Sequence, residues 1–352
     1  MSDEPTVITV LEPEDEYPHT PDHAPNYNES MYLNGFDLAQ GLGAWFRLGN
    51  RVNEGYAEMS VCIYLPDGRV GFMFGRPQIT DNTVMKAGGL EIAVVEPFRH
   101  LTVTYDGPVV LLDEPAQMTN PRQAFTTNPQ VTCRVRLDIH GVSPMYGGRP
   151  VNADGTELES DPMNSFAKAH YEQHTKVTGT IEVGEEVWEM NGLGLRDKSW
   201  GPRYWQALSW YRWCPMIFDE GFALMVSIIG RPGKEPRRSG MVLEGDQYHL
   251  LTDCRVESDY DERHHQTAVR IWARSETGDE YSITGEVNSL IPLRNRRNDG
   301  DGNQLVTRIT EAMTTFRCHH NGHDKVGMGM TEYLDQIVDG QPVGPDYESG
   351  LA

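Results

Sequence analysis

Turn signals set the scale of everything else in this sequence. An acidic residue followed by glycine recurs at Asp67-Gly68, Asp106-Gly107, Asp154-Gly155, Glu220-Gly221, Glu244-Gly245 and Asp339-Gly340. Thirty-five Gly and 22 Pro among 352 residues leave little room for long helices. The stretches between the turns are short and rich in β-branched and aromatic residues. Tyr56–Leu65 and Arg69–Phe74, joined by Pro66-Asp67-Gly68, read as a hairpin. Trp210–Phe218 and Phe222–Ile229 read as another, turning at Asp219-Glu220-Gly221. Further strands are expected at Gly89–Val95, His100–Tyr105, Val131–His140 and Thr175–Val183 in the first half. Met241–Gly245, Tyr248–Ser258, Thr267–Arg274, Tyr281–Ser289, Thr307–His319 and Gly327–Tyr333 continue the series in the second. Pro162–Gln173 is the best helix candidate. Many short strands at regular spacing fold as barrels or sandwiches, so the expected class is all-β and antiparallel.

The length suits two domains of about 150 residues each. Residues 1–28 hold seven Asp/Glu and five Pro, and the first basic residue of the chain is Arg47. This segment is expected to be a flexible acidic arm or to lie over the surface. The domains are then placed at 29–190 and 191–352.

Charge removes several classes of function. Thirty Lys/Arg against 52 Asp/Glu give a net charge of −22, the wrong sign for nucleic acid or anionic lipid heads. No run of about 18 apolar residues is present, so no transmembrane segment is expected. The acidic start lacks a secretory signal, and Cys62, Cys133, Cys214, Cys254 and Cys318 are scattered and odd in number. A reduced, cytoplasmic protein is the expectation, with a homodimer left open.

Five of the seven tryptophans, Trp188, Trp200, Trp205, Trp210 and Trp213, fall between positions 188 and 213, with Tyr204 and Tyr211 among them. The stretch contains a single interior acid, Asp197, with Glu189 at its edge. Ring faces stabilise a nearby cation. A carboxyl in an apolar pocket holds its proton more tightly and becomes a proton donor near neutral pH. On the residues alone these aromatics could equally be core between two sheets, with Asp197 paired to an Arg.

Gly194-Leu-Arg-Asp197-Lys-Ser-Trp200-Gly201 resembles the Gly-x-x-Asp-x-x-Trp-Gly motif of the hydroxyneurosporene synthase superfamily, which includes carotenoid 1,2-hydratases and kievitone hydratase. The hairpin Ser209–Met225 and the stretch Val326–Tyr333 resemble that group's Trp-containing hairpin and closing Gly-x-Gly-x-x-Glu strand. The resemblance implies two lipocalin-like β-barrels in tandem. It also implies cofactor-independent addition of water to a C=C bond of a hydrophobic isoprenoid, terpenoid or steroid-like molecule. Asp197 then maps to the acid, and Trp200 to the tryptophan that follows it. Asp197 is expected to be kept protonated by burial and to form a carbocation held by Trp200, Trp205 and Tyr204. Glu172 or Glu332 would orient water. Arg203, Tyr204, Trp205, Trp213, Tyr171 and Glu332 complete the candidate substrate-binding set. Isomerisation or cyclisation of the same substrates, or carriage of a lipophilic ligand, are the alternatives.

No metal site is expected. His319-His320-Asn321-Gly322-His323 reads as a hairpin tip, and the Thr-Lys-Val-Thr-Gly after His174 reads as strand rather than the helix on which His170 and His174 would be adjacent ligands. The sequence lacks a Gly-x-Ser-x-Gly elbow and a dinucleotide-binding glycine pattern, which argues against acyl-enzyme and NAD chemistry.

Overall fold

The computed structural model describes residues 7–158, 161, 165–298 and 301–345. The turns do what their residues dictate. At Asp67-Gly68, glycine takes the left-handed φ of +91° and the Asp67 carboxylate accepts from the Arg69 N–H at 3.1 Å.

The first half supplies β1 (Val7–Val10), β2 (Tyr27–Asp37), β3 (Leu42–Arg51), β4 (Tyr56–Tyr64), β5 (Val70–Gly75) and β6 (Lys86–Ala87). It continues with β7 (Leu90–Glu96), β8 (His100–Leu112), β9 (Gln130–Gly141), β10 (Tyr146–Asn152), β11 (Ala169–Val183) and β12 (Glu186–Pro202). Pairing runs β2-β3-β4-β5-β8-β9-β11-β12 and returns from β12 to β2, all antiparallel, which closes a barrel of eight strands. β6 and β7 extend from β8, and β10 and β1 extend from β11.

The second half supplies β13 (Trp210–Asp219), β14 (Phe222–Gly230), β15 (Arg237–Glu244), β16 (Gln247–Tyr260) and β17 (Gln266–Ser275). β18 (Glu280–Asn298), β19 (Gln304–His320), β20 (His323–Val338) and β21 (Gln341–Pro342) follow. Each pairs with the next, and β20 pairs back to β13, closing a second eight-stranded barrel from β13 to β20. The fold is therefore all-β, two lipocalin-like antiparallel barrels in tandem. Among the described residues, no helix is long and apolar enough to cross a membrane.

Strand alternation sorts each barrel into an inside and an outside. On β3, Leu42, Ala44, Phe46 and Leu48 fill the first barrel, while Trp45 and Arg47 point out. The outward faces are not all solvated. Tyr32, Phe36, Trp45 and Tyr64 of the first barrel pack with Ile291, Met313, Met328 and Met330 of the second. Each such side chain contributes about 1.5–3 kcal/mol on burial. The Tyr64 hydroxyl donates across this seam to the Glu311 carbonyl at 3.0 Å. β2 is consequently buried at every position.

Three features differ from the sequence reading. The helix candidate Pro162–Gln173 is strand from Ala169 onward, and residues 162–164 lie outside the described residues. His170–His174 pairs with β12, and Tyr171 to His174 are buried on both faces, so neither period stands out. Among the described residues the α-helix is α1 (Pro121–Thr127), which starts on a proline in its first turn. The boundary placed at 190/191 falls inside β12, which belongs to the first barrel to its last residue.

The acidic segment, from Val7 on, is laid against the first barrel because buried cations need it. Arg196 and Lys198 point inward; Glu16 pairs with Arg196 at 2.6 Å, and Glu29 of β2 pairs with Lys198 at 2.9 Å. The Asp15 and Tyr17 carbonyls accept from the Lys198 ammonium as well. An unpaired charge at these depths would be strongly destabilising.

Candidate functional site

The hairpin β11–β12 turns on Gly184-Glu185, and counting back along both strands sets Glu172 opposite Asp197. His170, two residues before Glu172, shares its face and reaches Asp197 diagonally. All three side chains point outward, toward β13 and β20 of the second barrel.

Asp197 is thus not the isolated acid that the sequence suggested. Its carboxylate is in hydrogen-bonding contact with His170 Nε2. The His170 side chain is 43% exposed and that of Asp197 is 21% exposed, so the pair opens to solvent. The reason is register: Arg196 and Lys198 alternate away from Asp197, which leaves the diagonal histidine as its partner. Burial opposes charge on His170, but Asp197 outweighs it and holds the imidazolium up to about 9. Glu172 lies beneath, 3.6 Å from His170 Nε2 and 1% exposed. Burial pushes its carboxyl up to about 7. Trp213 Nε1 donates to Glu172 Oε1 at 2.7 Å from the second barrel, while Glu172 Oε2 has no partner.

The second barrel brings its own acids. The turn Asn321-Gly322 sets Glu311 opposite Glu332 on β19 and β20. Burial pushes both carboxyls up; Glu332 raises Glu311 further, while hydrogen bonds from Tyr211 and Glu311 act downward on Glu332. Ionising one carboxyl of such a pair disfavours ionising the other, and the Tyr211 bond favours the charge on Glu332. Half-buried Tyr211 and Trp213 and buried Tyr32 form the ring wall; Tyr32 meets Trp213 edge-on at 5.7 Å.

Other candidates divide between the seam and elsewhere. Arg203 and Trp205 join the seam from the link after β12: the Arg203 guanidinium lies 4.1 Å over Phe166 and 5.6 Å over Trp205. Tyr204 sits on the same link, its N–H donating to the Ser165 carbonyl. Trp200 and Tyr171 are not in the seam. Trp200 stands three residues from Asp197, hence on the other face of β12, and stacks on His19 at 4.1 Å. Tyr171 packs with Trp200 and donates to Glu16 at 2.9 Å. Both serve to seat the N-terminal segment. The glycines of the motif are packing devices: a Cβ at Gly194 would fall 1.9 Å from the Asn34 carbonyl oxygen, and Gly201 holds a φ of +106° against Lys168.

His170, Glu172 and Asp197 also offer one imidazole and two carboxylates within 4.8 Å of one another, a donor set able to hold a divalent cation, as do His100, Asp138 and His140 on β8 and β9. In the seam, His170 and Asp197 already satisfy each other, and with Glu172 they make a donor and acceptor pair for protons.

Fold and site define a tandem-barrel β protein with a polar, ring-walled seam. Residues 12–337 match the family described as "Domain of unknown function (DUF7064)", and the chain belongs to that family. No curated protein matches in sequence. A protein of Nitrosomonas europaea described as a candidate AttH shares the fold, with a TM-score of 0.59 and 15% identity over 93% of this chain and 96% of that one. Kievitone hydratase from Nectria haematococca aligns with a TM-score of 0.56 and 10% identity over 93% of each chain. CghA bound to Sch210972 aligns at 0.53 and 11% identity, over 95% of this chain and 96% of that one. These likenesses show the tandem lipocalin-like fold.

Proposed function

We propose that this chain is a cofactor-independent hydratase, or an isomerase or cyclase of the same substrates, acting on a C=C bond of a small hydrophobic molecule held between the barrels. The observation that carries this reading is the His170–Asp197 pair, open to solvent, lying directly over the buried Glu172–Trp213 bond and beside the ring wall. One structural relative is named as a hydratase.

The roles follow from the contacts. Asp197 is a positioning residue that holds and charges His170, and His170 is the proton donor. In a hydration, water oxygen bonds to one carbon of the C=C and its proton passes to ionised Glu172. The other carbon takes a proton from His170. In an isomerisation, Glu172 removes a proton from one carbon and His170 returns one to another. Each oriented acid or base contributes on the order of 10²–10⁴-fold. A donor held up to about 9 is matched to a polarised C=C, such as one conjugated to a carbonyl, better than to an isolated alkene. The face of Trp213 stabilises positive charge that develops beside it.

The test is a product search. Purified protein and its Asp197→Asn variant are incubated in H₂¹⁸O with isoprenoid, steroid and unsaturated-carbonyl mixtures and read by mass spectrometry. A labelled water adduct formed by the wild type alone supports hydration. An unlabelled isomer lost in the variant supports isomerisation or cyclisation. Ligand binding without turnover, equal in both proteins, replaces catalysis with carriage.

A further inference from the structure

A cluster of buried donors next to the acid–base group has three nitrogens without an acceptor. Arg203 is 7% exposed and makes no ion pair among the described residues. One of its nitrogens donates to Ser199 Oγ at 2.7 Å, while its Nε has no partner. Trp205 Nε1 is buried and likewise unpartnered. Arg47, on β3, places its guanidinium 5.9 Å over the same Trp205 ring. Its Nη1 donates to Glu58 at 3.2 Å and its Nη2 donates to nothing. Burial, then the neighbouring Arg47 charge, lowers the proton affinity of Arg203 to about 10.

A buried cation without a counter-charge is costly, and an orphaned buried N–H loses a bond that it made in water. Here the two guanidinium groups with unpartnered N–H bonds lie over the ring that carries the third, in a chain of net charge −22. The arrangement is the one that an anionic oxygen would complete, because charged donors bind carboxylates through short, strong hydrogen bonds. We infer that Arg203, Arg47 and Trp205 Nε1 form a subsite for a carboxylate, and that the ligand of the seam is a hydrophobic molecule bearing that group. The inference rests on the seam being the ligand site proposed above. It deepens that reading by replacing a neutral isoprenoid with an unsaturated or ring-bearing carboxylic acid. The subsite adjoins the reacting groups, since the Asp197 charge acts on Arg203 and the Arg203 charge acts on His170.

The experiment compares matched probes on the whole protein by calorimetry and tryptophan fluorescence. Cinnamate is set against cinnamamide and octanoate against octanamide, with wild type, Arg203→Met, Arg203→Lys and Trp205→Phe. The carboxylates are expected to bind the wild type about tenfold more tightly than the amides, as one charge-assisted contact predicts. Arg203→Met should erase the ratio, Arg203→Lys should keep part of it, and Trp205→Phe, which removes only the N–H and some ring area, should narrow it. Equal binding of both members of a pair, no carboxylate binding at all, or a ratio unchanged in Arg203→Met and Trp205→Phe overturns the subsite. If Arg203→Met does not fold, the wild-type ratio and Trp205→Phe decide. A carboxylate preference without turnover of any unsaturated acid leaves the subsite standing and sinks the catalytic reading. Turnover of neutral substrates without the preference does the reverse.

Discussion

Replacing Asp197 by Asn should move the titration of His170 by more than two pH units. Asp197 is the main cause that raises the imidazolium above its ordinary 6.5, to about 9, and burial acts in the opposite direction. Removing the carboxylate therefore takes away at least the difference, 9 − 6.5 = 2.5 units, and leaves burial and the nearby Arg203 to lower the value further. Glu172 remains as a weaker support. The assay is a pH titration of histidine ring protons by NMR, with His170→Gln identifying the resonance among the 12 histidines. The sign also shows in stability. The folded-state value lies above the ordinary one, so the pair stabilises fully below about pH 6.5 and loses its contribution as pH rises through about 9. A His170 midpoint that stays near 9 in Asp197→Asn would refute the assignment of that shift to Asp197.

Further outcomes follow from the same geometry. The pH–rate profile of turnover should be bell-shaped, rising through about 7 as Glu172 ionises and falling through about 9 as His170 loses its proton; a profile flat across this range contradicts the assigned roles. Glu16→Ala leaves Arg196 buried without its counter-charge and should cost about 3–5 kcal/mol in urea unfolding. A loss within error of zero would mean that the N-terminal segment is not needed to neutralise the barrel. Trp200→Leu should lower stability by about 1–3 kcal/mol through the lost His19 stack, yet leave turnover near wild type. Loss of turnover at unchanged stability would return Trp200 to the site.

The barrels were legible because turn chemistry is local. The hairpins at Asp67-Gly68 and Asp219-Glu220-Gly221 follow from residues adjacent in the chain. The strand registers were also within reach: once Gly184-Glu185 is accepted as a two-residue turn, Glu172 must face Asp197. The same holds for Glu311 and Glu332 about Asn321-Gly322. What the chain does not display is which outward faces are covered. β2 reads as polar, Tyr-Asn-Glu-Ser-Met-Tyr-Leu-Asn-Gly-Phe-Asp, yet it is buried throughout because the second barrel and the N-terminal segment cover its two faces. Alternation is informative only where one face stays wet.

The same blind spot misplaced part of the site. The motif spacing made Asp197 and Trp200 a natural pair, but an interval of three residues on a strand puts them on opposite faces. His170 was visible only as part of a histidine pair with His174, and the pair points to no common ligand. Arg47 and Tyr32 are 150 residues or more from Asp197 and carry no local signal; their place in the seam comes from barrel closure, β12 against β2. Asp197, Arg203, Trp205, Trp213, Glu172 and Glu332, by contrast, do meet in the seam.

Proton transfer between His170, Glu172 and the bound molecule is the central claim, and isotope uptake from solvent tests it most directly. Whichever substrate the product search yields is turned over in D₂O by wild type, His170→Gln and Glu172→Gln, and carbon-bound deuterium is counted by mass spectrometry. The account predicts one deuterium per turnover in the wild type, with turnover lost in both variants while the substrate still binds. Product carrying no carbon-bound deuterium, or the same deuterium uptake and rate in His170→Gln, would contradict it.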